Sequence, residues 1–297
     1  MDMSLSTMLI SGSFGKIEKW HIAALAEHGF ARLEIGEGDD HFDWYSPSAV
    51  AELSRWLDEF GVRAHTLHLP FRTGRGTPQF HYLSLSEPYE AWRREAIDAK
   101  VHLSRVAADL GCPLVVEHGP GDEYDEPNGN GSIAPLDVYR RFTIDQARDT
   151  YRRSLEEYWE RTREFGLRVA LENVMTRAST VTDLLAFCRE FDQERFGICV
   201  DIGHAHVDGD VLGELTKAGS SLVAVHMHDN DGSDDQHLVP GEGSVDWPGV
   251  MRHLKASPWL HAVTLEVAYH DSECTEVAFR RVLRRLRDAA SFLSNLQ

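Results

Sequence analysis

Residues Val223–Trp247 read VAVHMHDNDGSDDQHLVPGEGSVDW, a stretch with an unusual density of histidine and aspartate. It opens with an apolar run in which His226 and His228 stand two positions apart, so we expect a β-strand that presents both imidazoles on one face. Asp235 and His237 follow in a glycine-containing loop. The stretch therefore predicts a metal site at the end of a strand. The alternative is a polar surface loop that happens to be rich in these residue types.

On both sides of this stretch, short β-like runs alternate with longer amphipathic segments. Eight predicted strands fit the chain: Met8–Ser11, Ala31–Ile35, Val62–Leu69, Pro113–Glu117, Leu167–Glu172, Phe196–Asp201, the run that begins at Val223, and Ala262–Val267. Alternation of strands and helices indicates a parallel sheet, and eight units within about 250 residues predict an α/β fold, a single closed (β/α)8 or TIM barrel. We expect it to form one domain over residues 1–297.

A doubly wound open sheet is the alternative fold. It would usually have fewer units and a glycine-rich phosphate loop after the first strand, and Ser11–Gly15 lacks the third glycine of that motif. One irregular segment, Gly119–Pro135, is rich in glycine, proline and acidic residues. We expect it to cover a neighbouring part of the molecule or to move over it.

Charge and composition exclude several classes of protein. The 48 acidic and 30 basic residues give a formal net charge of −18, which opposes non-specific attraction to nucleic acid or to anionic membranes. No apolar stretch approaches the roughly 20 residues of a membrane span, and Met1–Gly15 lacks the pattern of a signal peptide. We therefore expect a cytoplasmic protein. The four cysteines form no CxxC pair, so neither a thiolate zinc site nor a disulfide framework is predicted.

The barrel prediction places catalytic residues where the strands end. Six successive strands, from the third to the eighth, end in or are followed by imidazole or carboxylate groups. The nine candidate metal ligands are His68, His118, Glu172, Asp201, His204, His226, Asp235, His237 and Glu266. Nitrogen and carboxylate ligands without thiolate suit zinc, manganese, iron or cobalt. Nine groups exceed the needs of one ion, so they predict two or three ions, or one ion with several substrate-facing partners.

Over nearly its whole length the sequence resembles the xylose isomerase-like TIM barrels. This family includes sugar and sugar-phosphate isomerases and epimerases and the endonuclease IV type of AP endonuclease. The motifs that carry the resemblance are LEN at Leu171–Asn173, VDIGHAH at Val200–His206, HMHDNDG at His226–Gly232, DQHLVPGEG at Asp235–Gly243 and LE at Leu265–Glu266.

The resemblance implies two different ligand sets. In the ketose 3-epimerase branch one metal is held by residues that match Glu172, Asp201, His226 and Glu266. In the endonuclease branch three zinc ions use the matches of all nine candidates. Two motifs depart from the nuclease pattern, because DIGHAH at 201–206 replaces a DTCHAF-like motif and HMHD at 226–229 replaces an HLND-like motif. Together with the acidic charge, these departures argue against a nucleic acid partner.

The residues and the resemblance together favour a divalent-metal-dependent isomerase or epimerase. It would act on a sugar or sugar phosphate by proton transfer next to a carbonyl, through an enediolate. Glu172 and Glu266 would exchange the proton on the two faces of the substrate, and His204 would bind metal or position a hydroxyl group. The expected cofactor is Mn²⁺, Zn²⁺ or Co²⁺, as one to three ions. We expect Asn173 to orient Glu172, and Phe71 and Trp247 to lie near the pocket.

Two other functions stay open at this point. One is a metal-dependent phosphodiesterase of the endonuclease IV type, acting on abasic DNA or another phosphate ester. The other is a metal-dependent sugar-binding protein without turnover. The predicted partner is a small sugar-like molecule rather than a membrane. A homo-oligomer is also open, because barrels of this group often pair.

Overall fold

A closed barrel of eight parallel strands forms the centre of the molecule, and each strand pairs with its neighbour in sequence. The computed structural model describes residues 3–11, 13–36, 42–71, 83–121, 142–192, 194–269 and 273–296. The strands are β1 Ser4–Ser6, β2 Arg32–Ile35, β3 Arg63–His68, β4 Leu114–His118, β5 Arg168–Glu172, β6 Phe196–Asp201, β7 Leu222–Met227 and β8 Ala262–Leu265. The last strand pairs with the first, so the predicted (β/α)8 fold is confirmed.

Helices surround the barrel on its outer side. The α-helices are α1 Met8–Ser11, α2 Lys19–Glu27, α3 Pro47–Phe60, α4 Glu90–Asp109, α5 Ile144–Thr162, α6 Val181–Glu190, α7 Ile202–Val207, α8 Val211–Ala218, α9 Trp247–Lys255 and α10 Glu276–Asn295. Short 3₁₀ turns at Arg163–Phe165 and Gly219–Ser221 lead into β5 and β7. Among the residues that the structure describes, no helix combines the length and the apolar character needed to cross a bilayer.

Local signals explain why the helices begin and end where they do. Helix α3 starts behind Ser46, whose side chain accepts a hydrogen bond from the backbone N–H of Ala49, and Pro47 occupies its first turn. It ends at Gly61, whose φ of 65° is the left-handed conformation that glycine adopts without strain. A serine cap with a proline at one end and a glycine at the other thus set the two bounds of α3.

The first strand was predicted wrongly. Met8–Ser11 forms the short helix α1, and the strand lies earlier, at Ser4–Ser6. Leu5 already pairs with Leu33 on one side and Leu265 on the other, so three residues are enough to close the barrel. The apolar character that suggested a strand at 8–11 has another cause, because two residues of α1 are buried in the core around the barrel.

Parts of the segments that follow β3 and β4 are not among the described residues. Residues 72–82 and 122–141 lie outside the described part of the chain, and they include most of the predicted covering segment Gly119–Pro135. The strand ends themselves are described at every position from β3 to β8.

Candidate metal centre at the carboxyl ends of the strands

All nine predicted ligands lie at strand ends or in the segments that directly follow them. Their nitrogen and oxygen atoms approach within 4.8 Å of one another in overlapping groups. We call Glu172, Asp201, His226 and Glu266 the inner group, His68, His118 and Glu172 the side group, and His204, His228, Asp235 and His237 the outer group. The fold thus brings together every predicted ligand and adds His228, which the sequence suggested only as a weaker candidate that supports the ligands.

The inner group converges on one nitrogen of His226. Its Nδ1 lies 2.9 Å from Glu172 Oε1, 3.1 Å from Glu266 Oε2 and 3.9 Å from Asp201 Oδ2. Asp201 and His226 are direct register partners across β6 and β7. The four side chains are buried at the mouth of the barrel. Strand pairing therefore fixes three carboxylates around a single imidazole.

Glu34 supports this imidazole from behind, and sequence reasoning missed it. Its Oε2 accepts hydrogen bonds from His226 Nε2 at 3.2 Å and from Thr66 Oγ1 at 2.8 Å. With Nε2 donating to Glu34, Nδ1 is the nitrogen that faces the inner group and would bind a metal ion there. Glu34 lies in β2 between two buried apolar residues and is itself 1% exposed. A glutamate between the apolar residues Leu33 and Ile35 was the available signal.

Asn173 has a different role from the one expected. Its Nδ2 donates to the carbonyl oxygen of Asp201 at 3.2 Å, and its Oδ1 accepts from the backbone N–H of Asp201 at 2.8 Å. The prediction that it orients Glu172 is therefore wrong. The amide instead holds the end of β6, and with it the Asp201 carboxylate, which caps α7 through the backbone N–H of His204 at 2.7 Å.

The side group shares a carboxylate with the inner group. Glu172 Oε2 lies 3.0 Å from His68 Nε2 and 3.6 Å from His118 Nε2, whereas Oε1 faces His226. Glu172 therefore has the position of a bridging carboxylate between two clusters of donors. The ring of Phe71 stacks on His118 with centroids 5.0 Å apart, so this residue lies beside the site as expected.

The outer group gathers three imidazoles around Asp235. His204 Nε2 and His237 Nε2 lie 3.4 and 3.1 Å from Asp235 Oδ2, and His228 Nε2 lies 3.6 Å from Oδ1. His237 has a φ of 46°, which is rare for a residue with a side chain. Backbone strain of this kind persists where surrounding contacts enforce it, commonly at functional sites.

Asp229 organises the loop that supplies the outer group. This carboxylate is fully buried and accepts hydrogen bonds from the backbone N–H groups of Asn230, Gly241 and Val245 and from Nε1 of Trp247, at 2.7 to 3.2 Å. Trp247 is only 2% exposed. The expectation that it lies near the pocket as a substrate neighbour is not supported, because its indole anchors the loop through Asp229.

The charges of the cluster match those of a cation site. Burial opposes ionisation of Glu172 and Glu266, yet the facing His226 imidazole lowers the pKa of both carboxyl groups. Burial also disfavours the charged form of His237, but the hydrogen bond with Asp235 raises its pKa to about 9. In the metal-free protein, protonated imidazoles thus occupy the place of positive charge among ionised carboxylates.

Within the described part of the chain, three buried carboxylate oxygens have no hydrogen-bond partner: Oδ2 of Asp201, Oδ1 of Asp235 and Oε1 of Glu34. A buried polar atom without a partner is costly unless something else satisfies it. The first two belong to the inner and outer groups, so a bound cation would remove that cost. Imidazole and carboxylate donors without thiolate suit a divalent transition metal, and the residues present fit such an ion.

A cavity of about 250 Å³ opens beside the side group. Its lining residues include Phe71, Leu83, Lys100, Glu117, His118, Val174, Met175 and His204. Lys100 and Glu117 form a fully buried ion pair, with 2.7 Å between Nζ and Oε2. The lining of the cavity therefore combines apolar side chains, a buried ion pair and two of the predicted ligands, His118 and His204.

The sequence matches a known protein family. The family model described as xylose isomerase-like TIM barrel matches residues 22–295, almost the entire chain. The chain belongs to this family. The resemblance inferred from the strand-end motifs is thereby confirmed.

Individual members of the family are distant. An uncharacterised protein of Methanocaldococcus jannaschii, MJ1311, is 26% identical over 249 residues, which cover 82% of this chain and 76% of that protein. The L-ribulose-5-phosphate 3-epimerase UlaE of Escherichia coli O1:K1 is 24% identical over 272 residues, covering 89% of this chain and 87% of that protein.

Solved structures in the family share the whole fold. A D-tagatose 3-epimerase-like protein superposes with a TM-score of 0.72 at 23% identity, covering 99% of this chain and 98% of that one. The IOLI protein, solved with a bound zinc atom, superposes with a TM-score of 0.70 at 15% identity, covering 99% and 96%. At these identities the likeness establishes the barrel.

Proposed function

We propose that this protein is a divalent-metal-dependent isomerase or epimerase that acts on a sugar or sugar phosphate by proton transfer next to a carbonyl group. The observation that carries the proposal is a pair of buried carboxylates that face the same imidazole nitrogen. Glu172 Oε1 lies 2.9 Å and Glu266 Oε2 lies 3.1 Å from Nδ1 of His226. The sugar epimerases among the relatives and structural neighbours support the same reaction class.

The inner group would hold the ion that this reaction requires, as Mn²⁺, Zn²⁺ or Co²⁺. When bound there, a divalent cation supplies a Lewis acid that polarises a carbonyl oxygen. Two further ions would find donors in the side and outer groups, so the total is one to three. Asp201 and His226 contribute no proton transfer in this scheme, and their task is to hold the ion.

Glu172 and Glu266 are the proposed acid–base pair. Both carboxyl groups have lowered pKa values and are ionised near neutral pH, the state that a general base needs. They come from β5 and β8, so they reach the site from different sides of the barrel mouth. One would take the carbon-bound proton, and the other would return a proton to the opposite face. His204 would bind an ion of the outer group or hold a substrate hydroxyl group.

The cavity suits a small substrate. Its volume of about 250 Å³ is below the roughly 300–1,000 Å³ typical of sites for drug-sized ligands. Phe71 offers an aromatic face to a sugar ring, and the buried Lys100–Glu117 ion pair adds a polar surface to the lining of the cavity. The expected partner is therefore a single sugar unit.

Hydrolysis of a phosphate ester is the second candidate, because one observation favours it. Glu172 lies between the inner and side groups, and Asp201 lies between the inner and outer groups, with Oδ1 3.0 Å from His228 Nε2. Shared carboxylates of this kind hold neighbouring ions in enzymes that cleave phosphate esters. The net charge of −18 works against a DNA substrate and favours a small one.

Proton exchange into heavy water tests the proposal. The protein, loaded separately with Mn²⁺, Co²⁺ or Zn²⁺, is incubated in D₂O with a panel of ketoses and ketose phosphates, and deuterium on carbon is followed by NMR. We expect exchange and epimerisation with at least one substrate, and a loss of at least about 100-fold in Glu172→Gln and Glu266→Gln. Hydrolysis of a phosphate ester without any exchange would instead support the second candidate.

A further inference from the structure

His228 stands where a metal ligand of the outer group would stand. It follows β7 by one residue, is completely buried, and stacks on His237 with ring centroids 3.9 Å apart and an angle of 19°. Its Nε2 lies 3.0 Å from Asp201 Oδ1 and 3.6 Å from Asp235 Oδ1. The same nitrogen therefore faces two carboxylates, one from the inner and one from the outer group.

Gly203 makes room for this imidazole. A Cβ atom at position 203 would lie 1.8 Å from Cε1 and 2.3 Å from Nδ1 of His228, distances that no side chain tolerates. Gly203 belongs to α7, where a glycine costs roughly 0.5–1 kcal/mol relative to alanine. Its φ is not positive, so the backbone does not demand glycine. The space occupied by the His228 ring is the reason that remains.

The other two imidazoles of the outer group are already oriented for binding. His204 Nδ1 donates to the carbonyl oxygen of Asn173 at 2.8 Å, and His237 Nδ1 donates to that of Glu266 at 2.9 Å. Each ring therefore turns Nε2 toward Asp235, where a metal ion would replace the Nε2 proton. Asp235 Oδ1, on the side nearest His228, has no hydrogen-bond partner.

We infer that His228 is a fourth protein ligand of the outer group, so that His204, His228, Asp235 and His237 form a closed tetrahedral site for a zinc-like cation. Sites with four protein ligands retain their metal as a structural element, whereas catalytic sites keep a position open for water or substrate. The outer ion would then fix the loop after β7, and the reaction would take place at the inner group. The inference rests on the metal binding proposed above but not on the sugar reaction.

The substitution His228→Gln distinguishes a role of His228 as a metal ligand from a role as a hydrogen-bond donor to Asp201. The glutamine amide can still donate to Asp201, but it offers no imidazole nitrogen to a metal. His253→Gln is the matched control, because His253 lies on α9, away from the three groups. Gly203→Ala is a second test that displaces the ring without removing any donor atom. Circular dichroism establishes that each variant is folded.

The metal-free full-length proteins are titrated with Zn²⁺ against a competing chelator, and separately with Co²⁺ while the visible absorption is recorded. We expect the wild type and His253→Gln to bind one zinc ion that resists the chelator and to show the intense cobalt spectrum of a tetrahedral site. His228→Gln and Gly203→Ala should weaken that ion at least about 100-fold.

Unchanged affinity in His228→Gln, or a weak six-coordinate cobalt spectrum in the wild type, would overturn the assignment. Absence of any bound metal in the wild type would overturn both this inference and the proposed function. If the zinc results hold but no ketose exchanges its proton, the epimerase proposal fails and the closed outer site stands.

Discussion

The inner and outer groups use the same types of side chain but are built on different parts of the fold. The inner residues lie at the ends of β5, β6 and β7 and directly after β8. Their side chains are at most 9% exposed. Outer residues come from the short helix α7 and from the loop after β7, and the Asp235 side chain is 22% exposed.

This difference separates what the barrel determines from what a loop determines. The register of β6 against β7 already places Asp201 beside His226, and the hydrogen bonds of the sheet maintain that placement. The outer group needs a loop with its own internal support, supplied by Asp229, and it tolerates an unusual φ at His237. Substitutions should therefore affect the two groups separately.

The largest expected effect is that of Asp229→Ala. Removing this buried carboxylate leaves four N–H donors without their acceptor. Since each unsatisfied buried donor costs about 1–3 kcal/mol, we expect the free energy of unfolding to fall by about 3 kcal/mol or more. Outer-site zinc should be lost at the same time, and the inner group should still bind metal. Urea unfolding and metal analysis measure the two effects.

Asp231→Ala is the control for this substitution, because Asp231 is an exposed acid two residues away in the same loop. A surface change of this kind usually alters stability by less than about 0.5 kcal/mol. Asp231 accepts hydrogen bonds from Ser233 and Gln236 at the surface of the loop, so equal destabilisation by both substitutions would show that the buried hydrogen bonds of Asp229 contribute no more than these exposed ones.

Glu34→Gln should act on the opposite group. The substitution keeps the size of the side chain but removes the charge that orients His226 through Nε2. Loss of such a supporting carboxylate typically weakens metal binding about 10–100-fold. We expect that loss for the inner ion alone, with outer zinc unchanged, in competition titrations of the two sites.

Thr66→Val is a milder change to the same support of His226. It removes the 2.8 Å hydrogen bond from Thr66 to Glu34 but leaves the carboxylate in place. Its effect on inner metal affinity should be smaller than that of Glu34→Gln. If Glu34→Gln weakens both sites equally, the two groups are not independent and the contrast between them is wrong.

The sequence predicted which side chains converge at the strand ends better than it predicted the residues that support them. The rule that barrel strands end at one face was enough to select nine residues, and the bounds of β6 are those predicted. Glu34 was missed because its partner, His226, lies 192 positions away and meets it only through barrel closure. Asn173 was given the wrong partner, and the contact of Trp247 with Asp229 was not foreseen, because loop hydrogen bonds decide their partners. No local pattern encodes those contacts.

The smallest expected effect is a difference in pH dependence between the outer and side groups. Below pH 9 a metal must displace the proton of His237, whose pKa the Asp235 hydrogen bond raises to about 9 against the opposing effect of burial. Burial instead lowers the pKa of His118 to about 3, although the nearby Glu172 carboxylate acts in the opposite direction. The His118 ring is therefore already neutral at pH 7, and its share in metal binding releases no proton.

Zinc affinity of the outer group should rise by up to about tenfold per pH unit between pH 7 and 9 for each proton displaced. The metal-free protein should show the opposite trend, because a raised histidine pKa stabilises the fold fully below pH 6.5 and loses that contribution as the pH rises to about 9. Thermal unfolding with and without zinc, from pH 6.5 to 9, should therefore diverge as the pH increases. Parallel curves would mean that His237 is not a ligand, since a proton and a metal ion cannot share its Nε2.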